Sequence, residues 1–384
     1  LSDLKRLDEA LASYDKALAI NPDYEFLFGT CLHTKMKVCD WQSLAGNLVK
    51  YASDIRERRK VTTPFSALSL LDSPELHKVA SEVYSDTKYP RSQALESFTN
   101  PHPKEKMRVG YYSANFYNHA IAYLMAELFE EHNSEKFELY GFSFGPDTMD
   151  GMRKRVSKAF DRFYDVRTQS DREVARLSRD LGIEIAVDLT GYTQDSRTGI
   201  FAEGCAPIQV NYLGYPGTMG AKYIDYVIAD KTVIPVERQY EFTEKVVYLP
   251  YSYQVNDSKR EISDKIFSKQ ELGLPDKGFV FCCFNNQYKI LPATFDGWIR
   301  ILKAVEGSVL WLFEDHPMAA KNLRKEAEAR GVDGNRLVFA RRMKLDEHLA
   351  RHRLADLFID TLPDRKSTRL NSSHSSVSRM PSSA

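Results

Sequence analysis

The sequence predicts two α/β units, each built on a parallel sheet, that follow a helical N-terminal segment. Three observations lead to this fold class. Strands begin to alternate with helices at Met107, and the alternation resumes at Gly278 after a polar stretch over 253–277. Such alternation favours parallel sheets. The chain has 384 residues, which is long enough for two or three domains.

The N-terminal segment contains a helix with one apolar face. Ala10, Tyr14 and Ala17 recur at spacings of four and three, and Pro22 ends the helix. This pattern resembles the second helix of a tetratricopeptide repeat, a unit of about 34 residues. An ordinary amphipathic helix gives the same pattern. Residues 25–97 continue as predicted helices with polar joints.

Apolar runs and amphipathic stretches define the elements of the two α/β units. In the first unit, strands are predicted over 107–112, 137–143, 183–189, 208–214 and 223–230, and helices over 120–132, 149–160 and 171–181. In the second unit, strands are predicted over 278–284, 308–314, 336–340 and 355–360. Helices are predicted over 268–272, 294–305 and 345–352, and one more follows the strand over 308–314 and ends at Arg330. Two such units suggest a ligand cleft at the carboxyl ends of their strands.

Composition excludes several classes of protein. The 53 basic and 53 acidic residues balance, so no long-range attraction to nucleic acid or anionic lipid is expected. No run of 18 apolar residues predicts a membrane span. The five cysteines are odd in number and lack metal-ligand spacing, which favours buried thiols in a reducing, cytoplasmic compartment. Because the chain starts at Leu1, we expect that its natural N-terminus lies further upstream.

Polar loops follow two strands of the first unit. In SANFYNHA, we expect Asn118 to cap the next helix and His119 to lie in its first turn, where helix-start amides bind phosphate or hydroxyl groups. A capped helix with a surface histidine is the alternative. In GYTQDSR, Arg197 could bind an anion or a carbonyl group, or it could be solvated.

Two further loops carry glycine or amide side chains. Gly214, Gly217 and Gly220 follow a strand directly, so backbone amides can approach a ligand there; a simple Pro-Gly turn is the alternative. In CCFNNQYKI, Lys289 follows a buried strand and could neutralise a diphosphate, or it could be a solvated lysine in a polar loop. No Ser-His-Asp arrangement, carboxylate pair or zinc spacing is present in the sequence.

Together these stretches resemble the O-linked N-acetylglucosamine transferase family. The resemblance runs from the N-terminus to about Pro363, and it is carried by RVGYYSANFYNHAIAYLM, APIQVNYLGYPGTMGAKYIDYVIAD, FCCFNNQYKI, SVLWLFE and EHLARHRLADLFIDTLP. It implies a glycosyltransferase B-type fold: two Rossmann-like lobes, the second incomplete, preceded by tetratricopeptide repeats. The implied domains are a repeat remnant (1–100), the first lobe (101–252), a connection (253–277), the second lobe (278–363) and a non-native tail (364–384).

The resemblance also implies a role for individual residues. The implied catalytic residues are His119, beside the reacting sugar and phosphate, and Lys289, on the donor diphosphate. The implied substrate-binding residues are Arg197 in the same pocket, Leu213 and Gly214 touching the sugar, His348 stacked on uracil, Arg351 near the base, and Asn115, Asn286 and Gln287. We expect Lys289 and His348 to line one cleft with His119 and Gly214.

Several positions depart from the family pattern. Asn115 replaces an aspartate that has been considered as a proton acceptor, which leaves the catalytic base open. Ala120 replaces a proline, Asn286 replaces a glutamine although Gln287 is adjacent, and Leu345 replaces a lysine although Lys344 is adjacent. The insert between the lobes of animal members is absent, as in bacterial members.

The resemblance implies a protein O-glycosyltransferase. It would move N-acetylglucosamine from UDP-GlcNAc to Ser or Thr of a polypeptide held by the repeats, with inversion and without a metal or other cofactor. The alternatives are fucose transfer from GDP-fucose and a non-catalytic, repeat-based interaction protein. After Pro363 the tail resembles translated sequencing adapter and lacks the family's His-Thr-Thr helix start. We therefore expect this fragment to be inactive.

Overall fold

The computed structural model describes residues 6–92, 95 and 105–361, so the tail predicted to be non-native lies outside the described residues. The described chain forms two compact units. The central unit contains residues 55–65 and the described part of 73–259, and the C-terminal unit contains 6–54, 66–72 and 260–361. The segment predicted as one helical domain over 1–100 is thus shared between both units, whereas the predicted limits of the lobes stay a prediction.

Helices occupy the N-terminal segment, as the sequence predicts. They are α1 (Leu7–Ile20), α2 (Leu27–Lys37), α3 (Leu44–Arg56), α4 (Pro64–Leu70) and α5 (Pro74–Lys88). α1 ends one residue before Asn21, and Pro22 cannot continue it. Asp15 of α1 accepts a hydrogen bond from Cys31 Sγ at 3.6 Å and lies 3.7 Å from Lys35 Nζ, which joins α1 to α2.

The central unit contains a seven-stranded parallel sheet. Its strands are β1 (Met107–Ser113), β2 (Phe137–Ser143), β3 (Arg162–Asp165), β4 (Ile185–Asp188), β5 (Ile208–Asn211), β6 (Tyr226–Ala229) and β7 (Lys245–Tyr248). The connecting helices are α6 (Ala120–Glu130), α7 (Gly151–Ala159), α8 (Asp171–Asp180) and α9 (Gly199–Ala202). The strand order is β3-β2-β1-β4-β5-β6-β7. Strands that follow β1 in the chain are added on one side of it up to β3 and on its other side from β4 onward, so the topological switch point lies between β1 and β4. Ligands of such sheets bind beyond the carboxyl ends of the strands at this switch point.

The C-terminal unit contains a four-stranded parallel sheet. Its strands are β8 (Val280–Cys283), β9 (Val309–Phe313), β10 (Leu337–Ala340) and β11 (Leu357–Phe358), and its helices are α10 (Pro292–Ala304), α11 (Pro317–Ala329) and α12 (Leu345–Arg351). The strand order is β10-β9-β8-β11, with β9 and β10 on one side of β8 and β11 on the other, so the topological switch point lies between β8 and β11. All residues of β8 and β9 are buried, which explains their continuous apolar sequence. The polar loop that carries Lys289 therefore starts at the switch point.

No helix in residues 6–92 and 105–361 is both long and apolar enough to cross a membrane. All five cysteines of the sequence lie in the described residues, where they are buried and unbonded to one another. This matches the predicted buried thiols.

Candidate functional site

Glycines bring the loops of the central unit into backbone contact at the carboxyl ends of the strands. A Cβ on Gly145, after β2, would lie 1.6 Å from the Ala114 carbonyl oxygen, and one on Gly214, after β5, would lie 2.0 Å from that of Leu189. The N–H of Ala114 donates to Thr190 Oγ1 at 3.2 Å. The loops after β1 and β5 thus share one neighbour, the Leu189–Thr190 segment after β4.

Leu213 has a left-handed backbone conformation beside Gly214. Its φ is +67°, and its side chain is buried. A non-glycine residue in this region carries a strain of about 1–3 kcal/mol, and such residues cluster at ligand sites. The role of this strained and close-packed loop in binding the sugar stays a prediction.

His119 is the N-cap of α6. Its Nδ1 accepts a hydrogen bond from the Ile121 N–H at 3.3 Å, so the neutral ring carries its proton on Nε2. The prediction that Asn118 caps α6 and that His119 lies in its first turn is wrong. Asn118 instead bonds the start of α7: its N–H donates to Asp150 Oδ2 at 2.9 Å, and its Oδ1 accepts from the Met152 N–H at 3.3 Å.

Asn115 lies in the same loop and is buried. Its backbone N–H donates to Ser113 Oγ at 2.9 Å, and its carbonyl accepts from the Tyr117 N–H at 2.9 Å. These bonds fix the turn that leads from β1 to His119. An amide at this position cannot accept a proton as a carboxylate does, so the departure noted in the sequence also removes a candidate base from this turn.

Arg197 is held by the protein and is not a solvated arginine. Its Nε donates to Asp171 Oδ1 at 2.7 Å, its Nη1 to the Val166 carbonyl at 2.9 Å and its Nη2 to the Gln169 carbonyl at 2.7 Å. The guanidinium therefore closes the loop between β3 and α8. Its expected place in the sugar pocket stays a prediction.

Asp188, which the sequence did not single out, ends β4 at the switch point. It is 2% exposed, and its Oδ1 accepts hydrogen bonds from the N–H groups of Thr190 (2.8 Å) and Gly191 (2.9 Å). Burial raises the pKa of its carboxyl to about 6, although these two bonds lower it. In the sequence, Asp188 is marked only as an acidic residue at the end of an apolar strand.

In the C-terminal unit, the 3₁₀ turn Gln287–Lys289 (the Lys289 turn) follows β8. The Lys289 N–H donates to the Asn286 carbonyl at 3.0 Å, and Gln287 Nε2 donates to the Phe313 carbonyl of β9 at 2.9 Å. Asn285 Nδ2 bonds Asp360 Oδ1 at 2.8 Å after β11. Lys289 is 1% exposed, so the alternative of a solvated lysine is excluded.

Arg351 is a buried cation with incomplete hydrogen bonding. Its side chain is 1% exposed, and its Nη1 donates to the Arg341 carbonyl at 2.7 Å. Its Nε and Nη2 are buried and have no partner among the described residues. The guanidinium lies 4.7 Å from the centre of the Phe284 ring, and burial lowers its pKa to about 10. Two unpaired N–H donors beside an aromatic ring are suited to a planar, oxygen-rich ligand.

Two histidines lie beside Arg351 on the same aromatic surface. His348 is 4% exposed, and its ring centre lies 5.3 Å from that of Phe284. His352, which the sequence did not single out, lies 5.0 Å from Phe284 and 4.8 Å from His348, and its Nδ1 bonds the His348 carbonyl at 2.7 Å. Burial lowers the pKa of His352 to about 4. His348, His352 and Phe284 therefore form one cluster of rings beside Arg351. In the sequence, the signal for His352 is its spacing of four from His348 in EHLARH, which places both histidines on one face of a helix.

The described residues contain no group of three or more His, Cys, Asp or Glu side chains arranged to hold a metal ion. Each unit instead gathers its polar loops beyond the carboxyl ends of a parallel sheet. The fold and these loops define an α/β protein of the doubly wound class, in which ligands bind beyond the carboxyl ends of the strands.

Comparisons with known proteins give the family. The model of glycosyl transferase family 41 matches residues 82–266 and 259–368, and the chain belongs to this family. It is 33% identical over 350 residues to the probable UDP-N-acetylglucosamine–peptide N-acetylglucosaminyltransferase SEC of Arabidopsis thaliana, covering 86% of this chain and 36% of that protein. It is 25% identical over 370 residues to the UDP-N-acetylglucosamine–peptide N-acetylglucosaminyltransferase of Caenorhabditis elegans, with coverages of 67% and 32%.

A solved structure supports the same assignment. A mutant of the O-GlcNAc transferase of Thermobaculum terrenum superposes with a TM-score of 0.75 at 25% identity, covering 94% of this chain and 69% of that one. The predicted family and the glycosyltransferase B-type fold class with a helical N-terminal segment are both confirmed. The chain spans about a third of the length of the curated relatives it matches.

Proposed function

We propose that the protein transfers N-acetylglucosamine from UDP-GlcNAc to serine or threonine hydroxyls of polypeptides, with inversion at the anomeric carbon and without a bound metal ion. The observation that carries the proposal is the buried guanidinium of Arg351, with two unpaired N–H groups beside His348 and Phe284. A nucleotide base supplies the planar surface and the acceptor oxygens that this group needs. The family relatives are named for the same donor and reaction.

The chemistry requires positive charge at the donor diphosphate. When the bond from the sugar to UDP breaks, negative charge develops on the departing phosphate oxygen. Preorganised cations in a water-poor site stabilise this charge most effectively. Lys289 follows β8 at the switch point and is almost completely buried, which supports its role on the diphosphate.

The central unit would bind the sugar and order the reacting groups. The close-packed loop of Leu213 and Gly214 offers backbone groups to the sugar, and the Nε2 proton of His119 offers a donor to the sugar or phosphate. Asn115 cannot act as a base, so we assign no catalytic base among these residues. His119 acts in this proposal by hydrogen bonding.

We further propose that the helical segment binds the acceptor polypeptide and that the reaction takes place in the cytoplasm. The joined helices α1 and α2 support a repeat-like segment. Five free, buried cysteines fit a reducing compartment.

Radiolabel transfer to a peptide mixture tests the proposal. The chain, extended at its C-terminus with a family-like sequence, is incubated with UDP-GlcNAc or with GDP-fucose. We expect label from UDP-GlcNAc only. Lys289→Met should lower kcat/KM about 10- to 100-fold, because a lost charge-assisted phosphate contact costs about 1.5–3 kcal/mol. Lys321→Met removes an exposed lysine of α11 in the same unit and should change nothing.

Three outcomes would contradict the proposal. Transfer from GDP-fucose alone would identify a fucosyltransferase. UDP binding without transfer of either sugar would favour the non-catalytic interaction protein. Equal loss of activity in Lys289→Met and Lys321→Met would remove the assignment of Lys289.

A further inference from the structure

The helical segment contacts the Lys289 turn directly within the C-terminal unit. The His33 ring of α2 makes an edge-to-face contact with the Tyr288 ring, with 4.8 Å between centres and an angle of 66°. Cys39, two residues after α2, donates its Sγ–H to the Gln287 carbonyl at 3.7 Å. Two of the three residues of the Lys289 turn are thus contacted from the segment that precedes the catalytic lobes.

Cys39 occupies a position where glycine is normally found. The Cys39 N–H bonds the Met36 carbonyl at 3.0 Å, and the Asp40 N–H bonds the Lys35 carbonyl at 2.9 Å. This pair of bonds is the Schellman motif, in which the residue after the C-cap is left-handed and usually glycine. Cys39 has a φ of +51° there, a left-handed backbone conformation that disfavours any residue with a Cβ atom.

The Cys39 side chain lies in the core beneath the Lys289 turn. It is 1% exposed and packs in one cluster with Cys283 of β8, Ile290 and Phe295. Burial raises the pKa of its thiol, so the S–H donor persists at neutral pH. The end of α2 is itself fixed to this unit, because Asn322 Nδ2 of α11 donates to the Val38 carbonyl at 2.8 Å.

The Lys289 turn is therefore held between two supports. On one side, Gln287 Nε2 bonds the Phe313 carbonyl of β9. On the other side, His33 and Cys39 contact Tyr288 and Gln287. We propose that the end of α2 is a positioning element for Lys289, so that Cys39 and His33 set donor affinity through the lysine and the helical segment is coupled to the nucleotide site.

This inference rests on the proposed function, because it takes Lys289 as the residue on the donor diphosphate. A double-mutant cycle separates coupling through Lys289 from general stabilisation. The dissociation constant of UDP is measured by calorimetry in the C-terminally extended chain described above, without substitution and with Cys39→Ala, Lys289→Met or both. A second cycle uses His33→Ala, so that the test stands even where Cys39→Ala fails to fold.

We expect Cys39→Ala to weaken UDP binding about 3- to 10-fold, the range of one lost neutral hydrogen bond. In the Lys289→Met background the same substitution should have no further effect on UDP binding, while its effect on thermal unfolding should remain. Cys31→Ala is the matched control. Cys31 is a buried thiol within α2, but its Sγ bonds Asp15 of α1, so UDP affinity should not change.

The possible failures are distinguishable. An unsubstituted extended chain that does not bind UDP would overturn the proposed function, and the positioning role with it. A wild type that binds UDP, with Cys39→Ala and His33→Ala no weaker than Cys31→Ala, would overturn the positioning role alone. Equal and additive losses in the presence and absence of Lys289 would show that the residues act by stabilising the unit and not through the lysine.

Discussion

Replacing Arg351 by methionine should separate the stability of the C-terminal unit from its ligand binding. Arg351 is buried, but among the described residues only its Nη1 has an acceptor, the Arg341 carbonyl at 2.7 Å. Methionine resembles the aliphatic part of the arginine side chain, packs well against aromatic rings such as Phe284 and Trp311, and needs no hydrogen bonds. The substitution therefore removes a poorly satisfied charge together with the proposed contact to the nucleotide base.

The expected change in stability is small because two effects nearly cancel. Burial lowers the pKa of Arg351 from 12.5 to about 10, which corresponds to about 3 kcal/mol against the charged side chain in the folded state. The bond to Arg341 offsets about 1.5–3 kcal/mol of this. We expect Arg351→Met to change the free energy of unfolding by no more than about 1.5 kcal/mol, while UDP affinity falls at least about 10-fold, as for one lost charge-assisted contact.

Tryptophan fluorescence provides a selective assay. The three tryptophans of the chain, Trp41, Trp298 and Trp311, all lie in the C-terminal unit, so urea unfolding followed by their emission reports on this unit. UDP affinity is measured in parallel by calorimetry.

Arg336→Met is the matched control, because Arg336 Nε and Nη2 donate to the Ser308, Leu302 and Val305 carbonyls at 2.6–2.9 Å. It should cost about 2–4 kcal/mol and leave UDP affinity unchanged. A loss of more than about 2 kcal/mol in Arg351→Met, or unchanged UDP affinity, would refute the reasoning.

Two further predictions concern the central unit. Gly214→Ala places a Cβ 2.0 Å from the Leu189 carbonyl oxygen and should lower the free energy of unfolding of the unit by about 1–3 kcal/mol, measured by calorimetry. Gly151→Ala is the control, because its Cβ meets nothing within 4 Å and should not destabilise the unit. Equal effects of the two substitutions would contradict the close contact at Gly214. Asp188→Asn keeps an oxygen acceptor for its two N–H bonds but removes the charge. Because the folded carboxyl, with its pKa of about 6, binds its proton more tightly than the unfolded one, wild-type stability falls as pH rises from about 4 to 6. The variant should be more stable by about 1–3 kcal/mol at pH 7.5 and equal to the wild type below about pH 4, and a variant that is less stable at pH 7.5 would contradict this.

The interior strands could be predicted from sequence, whereas two edge strands could not. β8 and β9 are buried on both faces, so their sequences VFCC and VLWLF are continuous apolar runs. β3 and β7 are the outer strands of the seven-stranded sheet. Each has only four residues and begins with a charged residue, Arg162 or Lys245, so the apolar signal is short.

Contacts between distant parts of the chain decided the features that sequence reasoning missed. Asn118 is a better N-cap by residue type than His119, but its side chain and N–H are taken by the start of α7, more than 30 residues away. The Cys39 contact to Gln287 joins residues 248 positions apart. Local patterns cannot report such pairs. The family resemblance identified Lys289 and Arg351 by position, but the burial of both cations emerges only from the packing of the C-terminal unit.

In the proposed function, the two units supply different chemistry. In the C-terminal unit the proposed donor residues Lys289 and Arg351 are buried cations, so their variants should act first on UDP affinity. In the central unit Arg197 is already engaged by Asp171 and two carbonyl groups, which leaves the Leu213–Gly214 backbone as the main feature offered to a ligand. A close-packed backbone discriminates by shape, which suits a neutral sugar better than a charged diphosphate. Nucleotide affinity and sugar selection are therefore expected to be set by different residues of one chain.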